Sequence, residues 1–262
     1  SGSISVTFEG GHSHARVAHG HGDNTGRAIA EALINKLRSF ENITIIENFF
    51  AIDLITNDAG ACIGLVGKNS KSSNEIIWAK TVILATGGAG RLYRETTNPD
   101  VATGDGLAMT VRAGAVLRDM EFMQFHPTTL YIAGASRALI TETLRGEGAI
   151  LLDINHQPFM SQYHKDAELA PRDVVSRAIL EQMLKTNATH VYLDVRHFNK
   201  DFFARRFPFI NELLVSFDID ISRDLIPVRP SAHYMIGGVK TDSQARTNIH
   251  NLFACGEVAS TG

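Results

Sequence analysis

Apolar side chains recur at helical spacing in the stretch that follows Pro171 and continue as far as Thr186. These positions are Val174, Val175, Ala178, Ile179, Met183 and Leu184. Proline suits the first turn of a helix, because its missing N–H has no partner there. The pattern therefore predicts a helix from Pro171 with Arg172 in its first turn. Spacing alone favours an exposed arginine paired with Asp173 or Glu168, since the helix dipole disfavours a cation there.

Two further helices follow from the same periodicity. Asp23, Asn24 or Thr25 can cap a helix that runs to about Phe40. The stripe that we expect to be buried along this helix consists of Ile29, Ala32, Leu33 and Leu37. A third helix is predicted to begin at Gly104, with apolar positions Leu107, Ala108, Val111 and Ala115.

Residues 43–87 have the composition and turn residues of a small antiparallel meander, which leads into the continuous apolar run 81–85. Such a run is typical of a strand that is buried on both faces. It ends in Thr86, Gly87 and Gly88. A second apolar run, 252–254, is followed by Glu257, which would place a carboxylate at the carboxyl end of a strand. Residues 119–233, between these runs, have a less regular sequence pattern.

Composition narrows the class of protein. The chain has 262 residues, of which 44% are hydrophobic and 20% charged, as in ordinary globular domains. A net charge of −3 provides no general attraction to nucleic acid or to an anionic membrane, and no apolar run approaches the length of a membrane span. Cys62 and Cys255 lie far apart in apolar runs, which argues against a disulfide framework and favours a cytoplasmic location.

The first 24 residues are rich in glycine and histidine. The histidines at 12, 14, 19 and 21 have no cysteine or second acidic cluster at a usual ligand spacing, so we predict no metal site. Because no initiating Met and no signal peptide precede Ser1, we expect the chain to begin inside a longer protein.

Ten short motifs occur along the chain in one order. They are Asp23…Thr25-Gly26, Ala85-Thr86-Gly87-Gly88, Thr97-Asn98-Pro99, Thr103-Gly104-Asp105-Gly106, Gln124-Phe125-His126-Pro127-Thr128, Thr141-Glu142, Arg145-Gly146-Glu147-Gly148, Arg172-Asp173, His233-Tyr234 and Gly256-Glu257. In this order they resemble the succinate dehydrogenase/fumarate reductase flavoprotein superfamily. The resemblance implies an α/β and α+β fold, in which a two-dinucleotide-fold FAD-binding domain carries an inserted α+β capping domain. Residues 1–118 and 234–262 would belong to the FAD-binding domain, and 119–233 to the capping domain.

The resemblance also implies the roles of individual residues. The residues that it assigns to FAD are Thr86, Gly87, Gly88, Asp105 and Glu257. His126 and His233 would donate hydrogen bonds to substrate carboxylates, with the Thr141 hydroxyl as a further donor, while Glu142 orients these donors or relays protons. Arg172 would anchor a carboxylate and transfer a proton. Arg145 would support the pocket through an ion pair with Glu147. From the residues alone, a satisfied core side chain would be the better interpretation of each histidine, and a helix cap is the alternative for Glu257.

Glu9 and the histidine-rich residues after it are most similar to the L-aspartate oxidases of this superfamily. Succinate carries two carboxylates and no cation, so a nearby glutamate would repel it, whereas aspartate brings an ammonium that Glu9 can bind through a charge-assisted hydrogen bond. The implied reaction is FAD-dependent oxidation of L-aspartate to iminoaspartate, the first step of NAD biosynthesis. Oxygen or fumarate would reoxidise the flavin, and quinolinate synthase would be the functional partner.

Two alternatives remain at this point. One is a soluble fumarate reductase or the flavoprotein subunit of succinate dehydrogenase, which act on fumarate and succinate. The other is a non-catalytic capping module that holds a dicarboxylate weakly. The N-terminal strand, glycine-rich turn and helix that bind the FAD pyrophosphate in the superfamily are not recognisable in these residues. We therefore expect the activity to belong to a longer parent protein and the 262 residues alone to be inactive.

Overall fold

The computed structural model describes residues 6–7, 14, 16–18, 25–132 and 138–261. The helices are α1 Thr25–Leu37, α2 Asp105–Arg112, α3 Glu142–Gly146, α4 Arg172–Thr186, α5 Lys200–Arg206 and α6 Pro208–Ser216. The strands are β1 Val6–Thr7, β2 Val17–Ala18, β3 Phe50–Thr56, β4 Cys62–Lys68, β5 Asn74–Trp78, β6 Val82–Leu84, β7 Leu117–Arg118, β8 Met123–Leu130, β9 Ile150–Leu152, β10 Val191–Asp194, β11 Ile226–Met235, β12 Gly238–Lys240, β13 Leu252–Ala254 and β14 Ala259–Ser260. Within the described ranges, none of the helices combines the length and the apolar composition of a membrane span.

The chain divides into two compact units. Unit 1 contains Ser1–Ile43 and Phe125–Ser231, and unit 2 contains Thr44–Gln124 and Ala232–Gly262. The division of the sequence into domains at 118/119 and 233/234 remains a prediction.

Unit 1 is built on a four-stranded sheet of strand order β8-β11-β10-β9. The neighbours β10 and β11 are antiparallel, as are β10 and β9, which places Tyr192 opposite both Pro227 and Leu152. One apolar cluster joins this sheet to α3, α4, α5 and α6. Its largest fully buried aromatic side chains are Phe159, Phe203 and Phe207. This cluster gives unit 1 a core of its own.

Helix α4 begins at Arg172, one residue later than predicted, because Pro171 keeps an extended backbone as the N-cap. Its end at Thr186 is confirmed, and the next residue closes the helix in the left-handed conformation. Val175 and Ile179 are fully buried, whereas Leu184 is 82% exposed. The helical period therefore identified the core-facing side correctly except in the last turn.

The prediction of a buried stripe on α1 is wrong. The helix ends at Leu37, and none of its thirteen described residues is buried. Ile29, Leu33 and Leu37 are 55%, 59% and 40% exposed. Periodicity reports that one face of a helix is apolar, but only a packing partner can bury that face. In the described part of the chain, α1 contributes no side chain to either apolar core.

Unit 2 contains the antiparallel meander β3-β4-β5, which confirms the prediction for residues 43–87, although the first strand begins only at Phe50. A second, mixed sheet has the order β14-β12-β7. The third sheet pairs β6 with β13 in parallel, so that Val82 lies opposite Leu252 and Leu84 opposite Ala254. A second apolar cluster packs on these strands and on α2.

Strand β6 was predicted to be buried on both faces, but the structure buries only one of them. Val82 and Leu84 are 7% and 4% exposed, but Ile83, which points to the other face, is 65% exposed. Side chains alternate between the two faces of a strand, and the apolar cluster of unit 2 includes Val82 and Leu84 but not Ile83. The continuous apolar run therefore marks the strand correctly and overstates its burial.

The two sides of α4 provide a test of this core. Ile179→Ala removes a fully buried side chain, and we expect it to lower the free energy of unfolding by about 2–5 kcal/mol. Leu184→Ala on the same helix removes a side chain that is 82% exposed and should change that free energy by less than about 0.5 kcal/mol. Urea denaturation followed by circular dichroism measures both. Equal losses for the two variants would contradict the assignment of the buried face.

Candidate functional site

The short helix α3 presents two ionisable side chains of unit 1 on one face. Its N-cap is Thr141, whose Oγ1 accepts a hydrogen bond from the backbone N–H of Thr143. A capping hydroxyl fixes where a helix starts, and the helix then places Glu142 and Arg145 at i and i+3 on the same side. Thr141 also donates its hydroxyl to Oγ1 of Thr143, at 3.2 Å.

Glu142 joins two guanidinium groups. Its Oε1 accepts from Nη2 of Arg145 at 2.8 Å, and its Oε2 accepts from Nε of Arg172 at 2.6 Å. The Glu142 side chain is only 6% exposed and that of Arg145 is fully buried, whereas the Arg172 side chain is 32% exposed. Each carboxylate oxygen therefore has its own cationic partner, and of the two arginines Arg172 is the one that reaches the surface.

The predicted pairing of Arg145 with Glu147 is wrong. Arg145 pairs with Glu142, and Glu147 lies 3.6 Å from Arg206. The reason is helical geometry: Glu142 lies one turn before Arg145, whereas Glu147 is the C-cap of the same helix. Arg145 also donates to the backbone carbonyl of Glu168. Burial lowers the pKa of the Arg145 guanidinium, and the adjacent Glu142 carboxylate opposes this effect.

Arg172 is paired with Glu142 rather than with either of its sequence neighbours. Asp173 instead accepts a hydrogen bond from Arg177 at 2.6 Å. The carboxylate of Glu168 accepts the backbone N–H of Leu151. Arg172 stands at the first residue of α4, where the helix dipole is unfavourable to a cation. The buried carboxylate of Glu142 compensates for this position.

His126 lies in β8 and is 1% exposed. Its Nδ1 accepts the backbone N–H of Thr128 at 3.2 Å. Because an amide nitrogen can only donate, the neutral His126 ring carries its proton on Nε2. This nitrogen is therefore a hydrogen-bond donor, as recognition of a carboxylate requires.

In unit 2, the carboxyl ends of β6 and β13 lie side by side, and the backbone N–H of Cys255 donates to the carbonyl of Leu84 at 2.9 Å. Ligands bind at this edge in open α/β sheets. Glu257 follows β13 and accepts the backbone N–H of Met235 at 2.8 Å. A Cβ at Gly88 would collide with the Glu257 carboxylate, so this carboxylate can lie there only because residue 88 has no side chain.

Glycines also shape the neighbourhood of Thr86. A Cβ at Gly106, in the first turn of α2, would collide with the Thr86 hydroxyl, so the helix packs directly onto the end of β6. Asp105, the first residue of α2, is exposed and accepts the hydroxyl of Thr103 at 2.8 Å. Gly87 has φ +74°, and no atom of the described residues lies within 4 Å of a Cβ built there.

These features fit FAD. A carboxylate at the strand ends can accept hydrogen bonds from ribose or ribitol hydroxyls, and the side-chain-free backbone at Gly87 allows a ligand to approach closely. The structure brings together all five residues that the sequence assigned to FAD: Thr86, Gly87, Gly88, Asp105 and Glu257. They form one continuous edge of unit 2.

His233 belongs to unit 2 and is held by the segment after Glu95. Its Nδ1 lies 2.9 Å from Oγ1 of Thr97, and its backbone carbonyl accepts from Nδ2 of Asn98 at 2.7 Å. Thr97 and Asn98 belong to one of the ten sequence motifs, but no role in the site was predicted for them. The motif was the available signal, because no local pattern links position 97 to position 233.

The remaining predicted residues divide between the units. His126, Thr141, Glu142 and Arg172 lie in unit 1, and the residues assigned to FAD lie with His233 in unit 2. Glu9 lies outside the described residues. Among those that are described, no group of three or more His, Cys, Asp or Glu side chains is arranged to hold a metal ion.

Comparison with known proteins identifies the family. The whole chain, residues 1–262, matches the family described as FAD binding domain. It is 43% identical over 268 residues to L-aspartate oxidase of Streptomyces coelicolor, covering 100% of this chain and 46% of that protein. It is 47% identical over 263 residues to L-aspartate oxidase 1 of Ralstonia nicotianae, covering 98% of this chain and 49% of that protein. The chain thus spans about half the length of the curated relatives it matches.

The fold is that of a solved flavoprotein relative. A variant of quinol fumarate reductase from E. coli superimposes with a TM-score of 0.92 at 38% identity, over 100% of this chain and 47% of that chain. The predicted fold class and the resemblance to the succinate dehydrogenase/fumarate reductase flavoproteins are confirmed. The chain belongs to the FAD binding domain family, and its cofactor is FAD.

Proposed function

We propose that the protein containing this chain is a flavin-dependent oxidoreductase that oxidises L-aspartate to iminoaspartate. The observation that carries this proposal is the 43–47% identity to L-aspartate oxidases over almost the entire chain. The Arg172–Glu142–Arg145 cluster supports it, because a partly exposed guanidinium held by a buried carboxylate is suited to bind an anionic substrate.

FAD, when bound, accepts the hydride that leaves Cα of the substrate. We propose that Glu257 binds hydroxyl groups of this cofactor and that Thr86, Gly87 and Gly88 line its path at the strand ends. Asp105, at the N-terminus of α2, is proposed to bind a further polar group of FAD.

Three side chains are proposed to donate hydrogen bonds to the substrate carboxylates. His126 can do so as a neutral ring, because Thr128 occupies its Nδ1 and leaves the proton on Nε2. His233 is proposed to act in the same way. The Thr141 hydroxyl would leave its bond to Thr143 and donate to the substrate instead, while its oxygen continues to cap α3.

Arg172 is proposed to anchor a carboxylate and to take part in proton transfer. Its contact with Glu142 uses Nε, and a guanidinium has five N–H donors in a planar fork that matches a carboxylate. Oxidation of the ammonium form of aspartate releases a proton in addition to the hydride. The Glu142 carboxylate is the proton acceptor of the cluster: Arg172 would donate a proton to Glu142 as it takes up the proton that leaves the substrate.

A second candidate is a fumarate reductase or the flavoprotein subunit of succinate dehydrogenase. The structural match to quinol fumarate reductase favours it. Glu9 discriminates against it, since fumarate and succinate present no cation for a glutamate to bind. We further propose that this reaction is the first step of NAD biosynthesis in the cytoplasm, that oxygen or fumarate is the electron acceptor, and that quinolinate synthase consumes the iminoaspartate.

Arg172→Gln in the full-length protein should lower kcat/KM for aspartate at least about a hundredfold, as loss of a charged group at a reacting substrate commonly does. Thermal stability should change little, because Glu142 keeps its contact with Arg145. Arg177→Gln is the matched control: this arginine lies on the same helix, is 73% exposed and, among the described residues, pairs with exposed Asp173. Steady-state kinetics at equal flavin content compare them, and similar kinetics for the two variants would contradict the role of Arg172.

Glu9→Gln tests the choice of substrate. Loss of a charge-assisted hydrogen bond to the ammonium should lower kcat/KM for aspartate oxidation about 10- to 100-fold. Fumarate reduction by the same protein should change much less, since fumarate has no cation. The exposed Glu31 of α1, which pairs with Arg27, gives the control Glu31→Gln. A full-length protein that reduces fumarate but does not oxidise aspartate would exclude the proposal and establish the second candidate.

A further inference from the structure

The backbone of His233 is held by a short segment that is distant in sequence. Thr96 and Ala232 form a parallel bridge. The backbone N–H of Thr97 and the hydroxyl of Thr96 both donate to the carbonyl of Ala232, each at 3.0 Å. Asn98 donates its side-chain amide to the carbonyl of His233 at 2.7 Å. These contacts hold the main chain at His233 independently of any contact that its ring makes.

The ring has a separate contact, with the Thr97 hydroxyl 2.9 Å from Nδ1. A neutral imidazole has one donor and one acceptor nitrogen, and the partner of one nitrogen decides the role of the other. A hydroxyl can donate or accept, so this contact admits both tautomers. At His126 the partner is the amide of Thr128, which can only donate, and Nε2 carries the proton.

We propose that Thr97 is the positioning residue of His233: its hydroxyl donates to Nδ1 and holds the ring as the Nε2–H tautomer. This inference rests on the proposed function, in which His233 donates to a substrate carboxylate. A carboxylate only accepts hydrogen bonds. If Nδ1 carried the proton and donated to Thr97, Nε2 would turn a lone pair toward the carboxylate. Substrate binding by neutral His233 therefore requires Thr97 to be the donor.

In this arrangement both histidines have the Nε2–H tautomer, but different groups determine it. His126 obtains it from a main-chain amide, which no substitution of Thr128 other than proline removes. His233 obtains it from a side chain, so a single conservative change at position 97 can abolish it. Thr97 is half-buried and its backbone is held by Ala232 independently of the hydroxyl. Valine, which has nearly the same shape, should therefore remove the hydrogen bond and leave the segment in place.

The test uses the full-length flavoprotein. Thr97→Val should raise KM for the dicarboxylate substrate about three- to tenfold, the effect of one neutral hydrogen bond, with flavin content unchanged. Thr97→Ser, which keeps the hydroxyl, should restore KM. In the His233→Ala background, Thr97→Val should have no further effect. The matched control is Thr189→Val: this exposed threonine has the same contact, 3.2 Å from Nδ1 of His190 in unit 1, and its loss should leave KM unchanged.

A second measurement does not depend on turnover. Nitrogen NMR of the histidine-labelled full-length flavoprotein, with His233 assigned by its loss in His233→Ala, should show Nδ1 unprotonated in the native protein. In Thr97→Val the same resonances should move toward those of a protonated Nδ1. A protonated Nδ1 in the neutral native ring would overturn the inference.

The kinetic outcomes separate this inference from the proposed function. If His233→Ala raises KM but Thr97→Val does not, the inference fails and the proposed role of His233 stands. If His233→Ala leaves KM unchanged, that role fails and the inference fails with it. Loss of flavin in Thr97→Val, failure of serine to restore KM, or an equal effect in the His233→Ala background would mean that Thr97 is structural, and each would overturn the inference.

Discussion

A carboxylate that is removed from water requires compensation by charge, and Glu142 receives it from two guanidinium groups. This requirement links three segments of unit 1: the capped helix α3, the first turn of α4 and, through Arg145, the carbonyl of Glu168. Buried ion pairs of this kind contribute little net stability, but the loss of one partner leaves a costly unpaired charge. The cluster therefore fixes where Arg172 stands more than it strengthens the fold.

Unit 2 satisfies a different constraint. Two parallel strands end together, and uncharged hydrogen-bond donors rather than charged side chains hold the functional groups of this unit. Glu257 is oriented by the N–H of Met235, and the backbone of His233 by Asn98. Because these partners are close in space but distant in the chain, the arrangement can form only when the strands have paired.

Sequence periodicity predicted α4 almost to the residue, because a helix is specified by positions within one or two turns of each other. It failed where burial depends on another surface, as for the stripe of α1 and for Ile83 in β6. It also missed β8 and β11, whose residues Pro127, Pro227 and Pro230 argue against a strand. The ion pair of Arg145 was misassigned because a neighbour in sequence was preferred to one a helical turn away. The roles of the site residues followed from the order of the motifs, and they remain predictions.

The contact between Gly88 and Glu257 makes two remote positions dependent on each other. Any side chain at position 88 would displace the carboxylate and deprive the amide of Met235 of its acceptor. Conversely, a shorter residue at 257 would remove the collision with the carboxylate, and a Cβ at position 88 would then have Cβ of Met235 as its nearest neighbour, at 3.0 Å. Which residue is tolerated at one position therefore depends on the residue at the other. Evolution along this edge would have to proceed by paired exchange, with the intermediate carrying either a displaced carboxylate or an empty space.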